Sequence, residues 1–359
     1  MNILFVHAIG KRKFGGGEKW VVMAARGLRE KGHNVWVGGR PGSLLLETAE
    51  AHWLNTIRLN VVSDINPYHV WKIARIIKKW KIDAIISRER ELCVSGLAAR
   101  LAGKPVVLAR HGLPLRSSVG KHVWLLNRFA DGIITNARST KETYQRKGFF
   151  PEGFTRLIYN GIAHPGNSTP YPFAEEFPGR QIILSVGRLA AQKGFCHLLD
   201  AMALLRDSHP DAQLVVLGEG KLRRKLERHA HELGVSDRVL LQGFVPDVSP
   251  FLQGCDLFVL PSLYEGMPNA AMEAMVHSKP AIITKVDGAE ELIPDQRVGM
   301  LIPPKDPKAL ASAMAKYLDD PQLRERTGQQ AREHVLQHFA QQRMIDELDA
   351  FLQEVHKPQ

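Results

Sequence analysis

The sequence predicts an α/β protein of two domains, each a doubly wound parallel sheet. Three observations predict it. Short apolar runs alternate with helical patterns along almost the whole chain, the signature of strands joined by crossover helices. At 359 residues the chain exceeds what one hydrophobic core comfortably organises. The stretch NGIAHPGNSTPYPFAEEFPG, residues 160–179, is rich in Pro, Gly and polar residues and interrupts the alternation. The expected division is residues 1–165, a linker at 166–179, and residues 180–340. The last helical pattern, about 341–359, is a candidate to pack back on the first domain.

Residues 2–6, NILFV, form the first expected strand. Gly15, Gly16 and Gly17 then lead into the helical pattern EKWVVMAARGLREKG. A strand, a glycine-rich loop and a helix start can cradle an anion on backbone amides, and a plain flexible turn fits the same residues. Lys11, Arg12 and Lys13 add positive charge to that loop. Further strands are expected at 34–38, 56–61, 83–87, 105–109, 132–135 and 156–159, with helices at about 66–80, 91–102, 119–129 and 137–147. On residues 70–81, Val70, Ile73, Ile77 and Trp80 share one face while Lys72, Arg75 and Lys79 point elsewhere. That pattern, like HVWLLNRF at 122–129, fits packing on a sheet or lying on a membrane surface. His111 directly follows an apolar run, which places it at the ligand edge of the sheet with Arg110 and Arg116 near it. Glu89 and Glu91, after another strand, are weaker candidates for the same edge.

The second alternation begins with IILSVG at 182–187. The sequence GRLAAQKG follows at once, so Gly187, Arg188 and Lys193 sit on a short loop at the sheet edge, where two cations could neutralise a diphosphate. Strands are expected in 213–220 and 238–245; their glycines mark tight exits, where a nucleotide base could lie against the backbone around Phe244 and Val245. The run CDLFVL delivers PSLYEGMPNAAMEAM, residues 261–275, to the carboxyl edge, where open α/β sheets bind ligands. Pro268 suits the first turn of a helix, so Glu265 precedes that helix and Glu273 lies inside it, about 7.5 Å of axial rise from Pro268. Two carboxylates then flank one helix N-terminus, with Gly266, Ala270 and Ala271 small enough for close approach to the backbone. The arrangement suits an anionic centre with hydroxyl groups at both ends, such as a nucleotide sugar. PAIIT at 280–284 and helices at about 306–318 and 321–337 close the domain.

Composition narrows the partners. No apolar run spans a bilayer, and MNILFVHAIGKRK has the wrong order of charge and apolar residues for a secretory signal, so a cytoplasmic protein is expected. Cys93, Cys196 and Cys255 are far apart and read as reduced core thiols; neither they nor the 15 histidines show metal-ligand spacing, so no metal is expected. Residues 1–165 carry a net charge of +16 and the remainder −5. That asymmetry points to an anionic partner for the first half, a membrane surface, a phosphorylated acceptor or nucleic acid, and a merely solvated basic face fits the same charge. No basic-aromatic module argues for nucleic acid.

With GRLxxxKG, GEG, GFV and EGMPNAAMEAM in order, each behind a strand, the chain resembles the GT-B glycosyltransferases of family four over nearly its whole length. NGI at 160–162 and LIPPKDPKALA at 301–311 extend the likeness. The resemblance implies two facing Rossmann-like domains with an interdomain cleft, donor on the second and acceptor on the first. It implies that Arg188 and Lys193 hold the donor diphosphate and that Glu273 bonds the ribose. Glu265, with the amides of Gly266 and Met267, would contact the transferred sugar, and amides near Asn269 and Ala270 the phosphate. By the same likeness, His111 lies near the sugar and Gly16 and Gly17 belong to a loop that closes on the diphosphate. The implied activity is retaining transfer from a nucleotide-diphosphate sugar, UDP-linked by preference with GDP or ADP as alternatives, to a hydroxyl of a lipopolysaccharide or other envelope glycan. The acceptor is expected to be a glycan or lipid-linked and phosphorylated, met at the inner face of the cytoplasmic membrane. No tightly bound cofactor is expected. A hydrolysing epimerase is the competing enzyme, and a basic nucleic-acid-binding protein the competing non-enzyme.

Overall fold

The computed structural model describes residues 1–8, 15–61, 66–103, 105–112, 119–148, 150–166 and 168–356. The chain forms two units, Met1–Gly161 with Gln341–Gln359, and Ile162–Ala340.

Unit 1 contains β1 (Asn2–His7), α1 (Gly16–Glu30), β2 (Asn34–Gly39), α2 (Leu44–Ala51), β3 (Asn55–Arg58), α3 (Pro67–Trp80), β4 (Ala84–Arg88), α4 (Leu92–Leu101), β5 (Val106–His111), α5 (Val119–Phe129), β6 (Gly132–Thr135), α6 (Arg138–Gly148) and β7 (Thr155–Leu157). The strands are parallel in the order β3-β2-β1-β4-β5-β6-β7. Successive side chains point to opposite faces of a strand, so Ile3, Phe5, Ile86 and Leu108 pack under α1 and α2, while Leu4, Val6, Ile85 and Val107 pack under α3 and α4.

Unit 2 contains α7 (Phe173–Glu176), β8 (Gln181–Val186), α8 (Phe195–Leu204), β9 (Ala212–Leu217), α9 (Arg223–Glu232), β10 (Val239–Gly243), α10 (Ser249–Gly254), β11 (Leu257–Leu260), α11 (Asn269–Val276), β12 (Ala281–Thr284), α12 (Ala289–Leu292), β13 (Met300–Ile302), α13 (Pro307–Asp319) and α14 (Pro321–His338). Its parallel sheet runs β10-β9-β8-β11-β12-β13. Asp306 and Asp320 cap α13 and α14, accepting from Ala309 N and Leu323 N at 2.9 Å each, and a proline follows each cap where no backbone donor is needed.

The Pro- and Gly-rich stretch at 160–179 is packed rather than bare. Tyr171 stacks on Phe251 with ring centroids 4.2 Å apart, and Phe173 is buried beside them, because its aromatic residues supply the burial that the composition alone hides. The last helix, α15 (Gln341–His356), belongs to unit 1 and crosses α1 at Gly27. A Cβ at position 27 would lie 2.1 Å from Ile345 Cδ1, so glycine is what lets the two helices meet. On α3, Val70, Ile73 and Ile77 are buried as their spacing predicts. Trp80 is not with them: it is 41% exposed and leans on Trp36 at 5.4 Å, because the helix ends there at Lys81.

Candidate functional site

In unit 2 the chain winds away from β8 in one direction and from β11 in the other, so the carboxyl ends of these neighbours form the switch point where open sheets leave a crevice. The loop leaving β8 makes a short turn at Ala191–Lys193 and reaches Gly194 at φ 65°. A Cβ at 194 would lie 2.0 Å from the Pro261 carbonyl oxygen, so the loops leaving β8 and β11 touch backbone to backbone. Two further bonds fix them: Leu263 N donates to Gln192 O at 2.7 Å, and Gln192 Nε2 donates to Tyr264 O at 2.9 Å.

This contact lays Lys193 against Glu265. Lys193 Nζ donates to Glu265 Oε1 at 2.6 Å, and Ser262 Oγ donates to the same oxygen at 2.7 Å. Glu265 is only 8% exposed, so the pair is a charge-assisted bond in a partly dry setting. Gly187 lies beneath the lysine stem, where a Cβ would be 3.2 Å from it, and the adjacent Arg188 is exposed. Gly266 and Met267 are buried just after Glu265. Asn269 and Ala270 open α11, with Pro268 one residue ahead of it, and Glu273 follows on the same helix, partly exposed. Phe244, 61% exposed, and Val245 leave β10, two strands from β8.

In unit 1 the switch point lies between β1 and β4. Gly16 and Gly17 are the first residues of α1, and Gly15 N donates to Glu18 Oε2 at 2.8 Å across that turn. Glu18 Oε1 also meets His7 Nε2 at 3.2 Å. Burial alone would raise the Glu18 carboxyl, but the bonds from His7 and the Gly15 amide outweigh it and hold it at about 2. Burial pushes His7 below the usual imidazole range, so the pair is a carboxylate accepting from a neutral ring at neutral pH. His111 lies on the other face of the sheet, 2% exposed, with Nδ1 2.6 Å from the hydroxyl of Tyr144. Lys11, Arg12, Lys13, Arg116 and the side chain of Glu89 lie outside the described residues.

The structure thus unites Gly187, Lys193 and Glu265, and sets Arg188, Gly266, Met267, Asn269 and Ala270 around them in the chain. It puts His111 in unit 1 apart from Gly16 and Gly17, across the sheet. Sequence reasoning missed Ser262, His7 and Glu18. Ser262 was legible as a hydroxyl three residues before an acid after a buried strand; the His7 pairing had no local signal. Among the described residues no group of three His, Cys, Asp or Glu could hold a metal ion, and no helix is long and apolar enough to cross a membrane.

Two parallel Rossmann-like domains of seven and six strands give the chain the GT-B fold. Residues 169–334 match the family described as Glycosyl transferases group 1, and residues 14–164 match Glycosyltransferase Family 4. The chain belongs to this family. It is 31% identical over 345 residues to the lipopolysaccharide core biosynthesis glycosyltransferase LpsE of Rhizobium meliloti, covering 95% of this chain and 96% of that one. It is 36% identical over 154 residues to the alpha-D-kanosaminyltransferase of Streptomyces kanamyceticus; that match covers 42% of this chain and spans only 40% of that relative's length. The fold is shared with Anabaena Alr3699/HepE in complex with UDP-glucose, at a TM-score of 0.85 and 22% identity, over 99% of this chain and 100% of that one.

Proposed function

We propose that the protein is a retaining glycosyltransferase that moves a sugar from a nucleotide-diphosphate sugar, by preference a UDP-sugar, to a hydroxyl of a lipopolysaccharide or other envelope glycan. The observation that carries this reading is the Lys193–Glu265 bond of 2.6 Å at the switch point of unit 2. A lysine held by a single acid in a partly dry crevice is poised to turn to a diphosphate, whose charge exceeds that of the carboxylate. The acid is then free to meet the sugar. LpsE and the UDP-glucose complex of HepE support the acceptor and donor classes.

In this mechanism the amides of α11 near Asn269 and Ala270 face the phosphates, Glu273 takes the ribose hydroxyls, and Phe244 and Val245 lie by the base. The family resemblance assigns Gly16 and Gly17 to the loop that meets the diphosphate, and His111, whose Nδ1 meets the Tyr144 hydroxyl, to the sugar. The bond from the anomeric carbon to the diphosphate oxygen breaks as the acceptor oxygen bonds to that carbon on the same side. The acceptor proton passes to the departing diphosphate, whose growing charge Arg188 and Lys193 stabilise.

The net charge of +16 on residues 1–165 supports a phosphorylated or lipid-linked acceptor and attachment to the anionic inner face of the membrane. Exposed Tyr68, Trp71 and Trp80 on α3, with Arg75 over the Trp71 ring at 4.8 Å, support the same attachment.

Thermal unfolding with a panel of nucleotide sugars and bare nucleotides tests the donor, because a bound donor raises the melting temperature by mass action. Nuclear magnetic resonance of the product tests retention. A product with inverted anomeric configuration would refute the mechanism, and turnover that needs no acceptor would identify an epimerase instead.

A further inference from the structure

Unit 1 carries a row of charge that the mechanism above does not use. The last rung of its core on the α1 face is Phe5, Ile86 and Leu108, contributed by β1, β4 and β5. Two residues further along each strand, on the same face, stand His7, Arg88 and Arg110, and Arg88 and Arg110 are direct register partners. Adjacent strands lie about 4.8 Å apart, so two arginines start side by side from the carboxyl edge. They line a shallow hollow, open to solvent, together with Trp20 and Val21 of α1.

Glu91 acts on Arg88 at longer range, but neither arginine makes an ion pair among the described residues. Arg110 is held in place: its guanidinium lies 4.0 Å over the Trp20 ring and donates to Asn160 Oδ1 at 2.9 Å. Burial first, then the charge of Arg88, pushes it down to about 9. Arg88 is exposed and has no side-chain hydrogen bond or ion pair among the described residues. Glu18 acts on Arg110, but its two carboxylate oxygens are bonded to His7 and the Gly15 amide. The Trp20 indole N–H, on a residue 2% exposed, also lacks an acceptor. Two like charges side by side and an unmatched buried donor describe a place for an anion.

We propose that this hollow seats an anionic group of the acceptor, a phosphomonoester or a sugar carboxylate, gripped by Arg88 and Arg110. The proposal rests on the reading of unit 1 as the acceptor side of a glycosyltransferase and assigns the residues that select a charged acceptor. Arg110 supplies a fixed fork, oriented by Trp20 and Asn160. Arg88 supplies a mobile one that closes on the remaining oxygens.

The test uses the full chain with glucose 6-phosphate, glucuronate and glucose as probes and UDP as the control, comparing wild type with Arg88→Ala and Arg88→Glu. Arg88 is the position to change because its exposure leaves folding intact. The wild type should bind one or both anionic sugars saturably and glucose far more weakly. Loss of a charge-assisted bond should weaken the anionic probe about tenfold or more in Arg88→Ala and further in Arg88→Glu, with UDP affinity unchanged. The phosphate and carboxylate arms show which anion the site prefers. Equal binding of the anionic sugars by wild type and both variants overturns the proposal, as does failure of the wild type to bind either. Loss of UDP affinity in Arg88→Ala also overturns it, assigning the arginines to the donor. Failure of wild type to bind any nucleotide sugar would instead sink the donor reading.

Discussion

Glu91, at the start of α4, offers a measurement of how the unit 1 edge handles charge. It is 3% exposed, and its Oε2 has no hydrogen-bond partner among the described residues. Burial pushes its carboxyl up from 4.5 to about 7, against the opposing pull of Arg88, Arg90 and the backbone amides of Ala8 and Glu91 itself. A raised carboxyl holds its proton longer in the folded chain than in the unfolded one. Stability is therefore complete below about pH 4.5, falls as the unfolded carboxyl ionises, and levels off above about pH 7. At 1.36 kcal/mol per pH unit the loss comes to about 3 kcal/mol. Glu91→Gln keeps the shape and cannot ionise, so it should remove that loss and exceed the wild type by about 3 kcal/mol at pH 8 while matching it near pH 4.5. All six tryptophans, at positions 20, 36, 53, 71, 80 and 124, lie in unit 1, so tryptophan fluorescence in a urea titration follows that unit alone. Histidines titrate equally in both proteins and cancel in the difference. If wild type and Glu91→Gln lose the same stability between pH 5 and pH 8, burial does not govern this carboxyl and the reasoning fails.

Three further outcomes are expected. Lys193→Ala should lower kcat by about 100-fold or more while changing donor affinity far less, read from steady-state rates beside calorimetric UDP-sugar binding; equal losses in both would contradict a role in stabilising the departing charge. Glu273→Ala should weaken UDP binding by about tenfold to 100-fold, the range for a lost charge-assisted bond, and an unchanged dissociation constant would remove Glu273 from the ribose. Gly27→Val should loosen α15 from α1, since even a Cβ meets Ile345 at 2.1 Å; faster amide exchange across Gln341–His356 is the readout, and unchanged protection would show that the crossing tolerates bulk.

The unit 2 candidate site could be located because a parallel sheet writes its carboxyl edge into the sequence. An apolar run ends, and the next few residues are at the crevice; GRLAAQKG after IILSV and PSLYEGMPNAAMEAM after CDLFVL are read that way. What the pattern withheld was contact between loops. Lys193 and Glu265 are 72 residues apart, and their 2.6 Å bond depends on Gly194 meeting the Pro261 carbonyl, a closeness no local spacing encodes. Strand register was equally hidden. Arg88 and Arg110 fall in separate segments, each reading as a charged residue at a strand end, and only the pairing of β4 with β5 makes them neighbours. Trp80 fitted the apolar stripe of its helix, yet the stripe reaches past the sheet it covers, leaving the ring on Trp36.

The two switch points also differ in how their charge is balanced, and on the proposals above that difference bears on which anion each unit would take. In unit 2 Lys193 is already bonded to Glu265, so on the proposed function a diphosphate would have to displace a carboxylate, and its gain would be the difference between two ion pairs. In unit 1 Arg88 makes no ion pair among the described residues, so on the proposal above an anion would gain its interaction less its own desolvation and the pull Glu91 already exerts on Arg88. An internally paired site favours a ligand with more charge and better geometry than its own carboxylate, which suits a diphosphate over a single phosphate. An unpaired site accepts a singly charged group. On these proposals, discrimination between donor and acceptor anions would follow from whether the protein supplies its own counter-ion, before any contact with sugar or base.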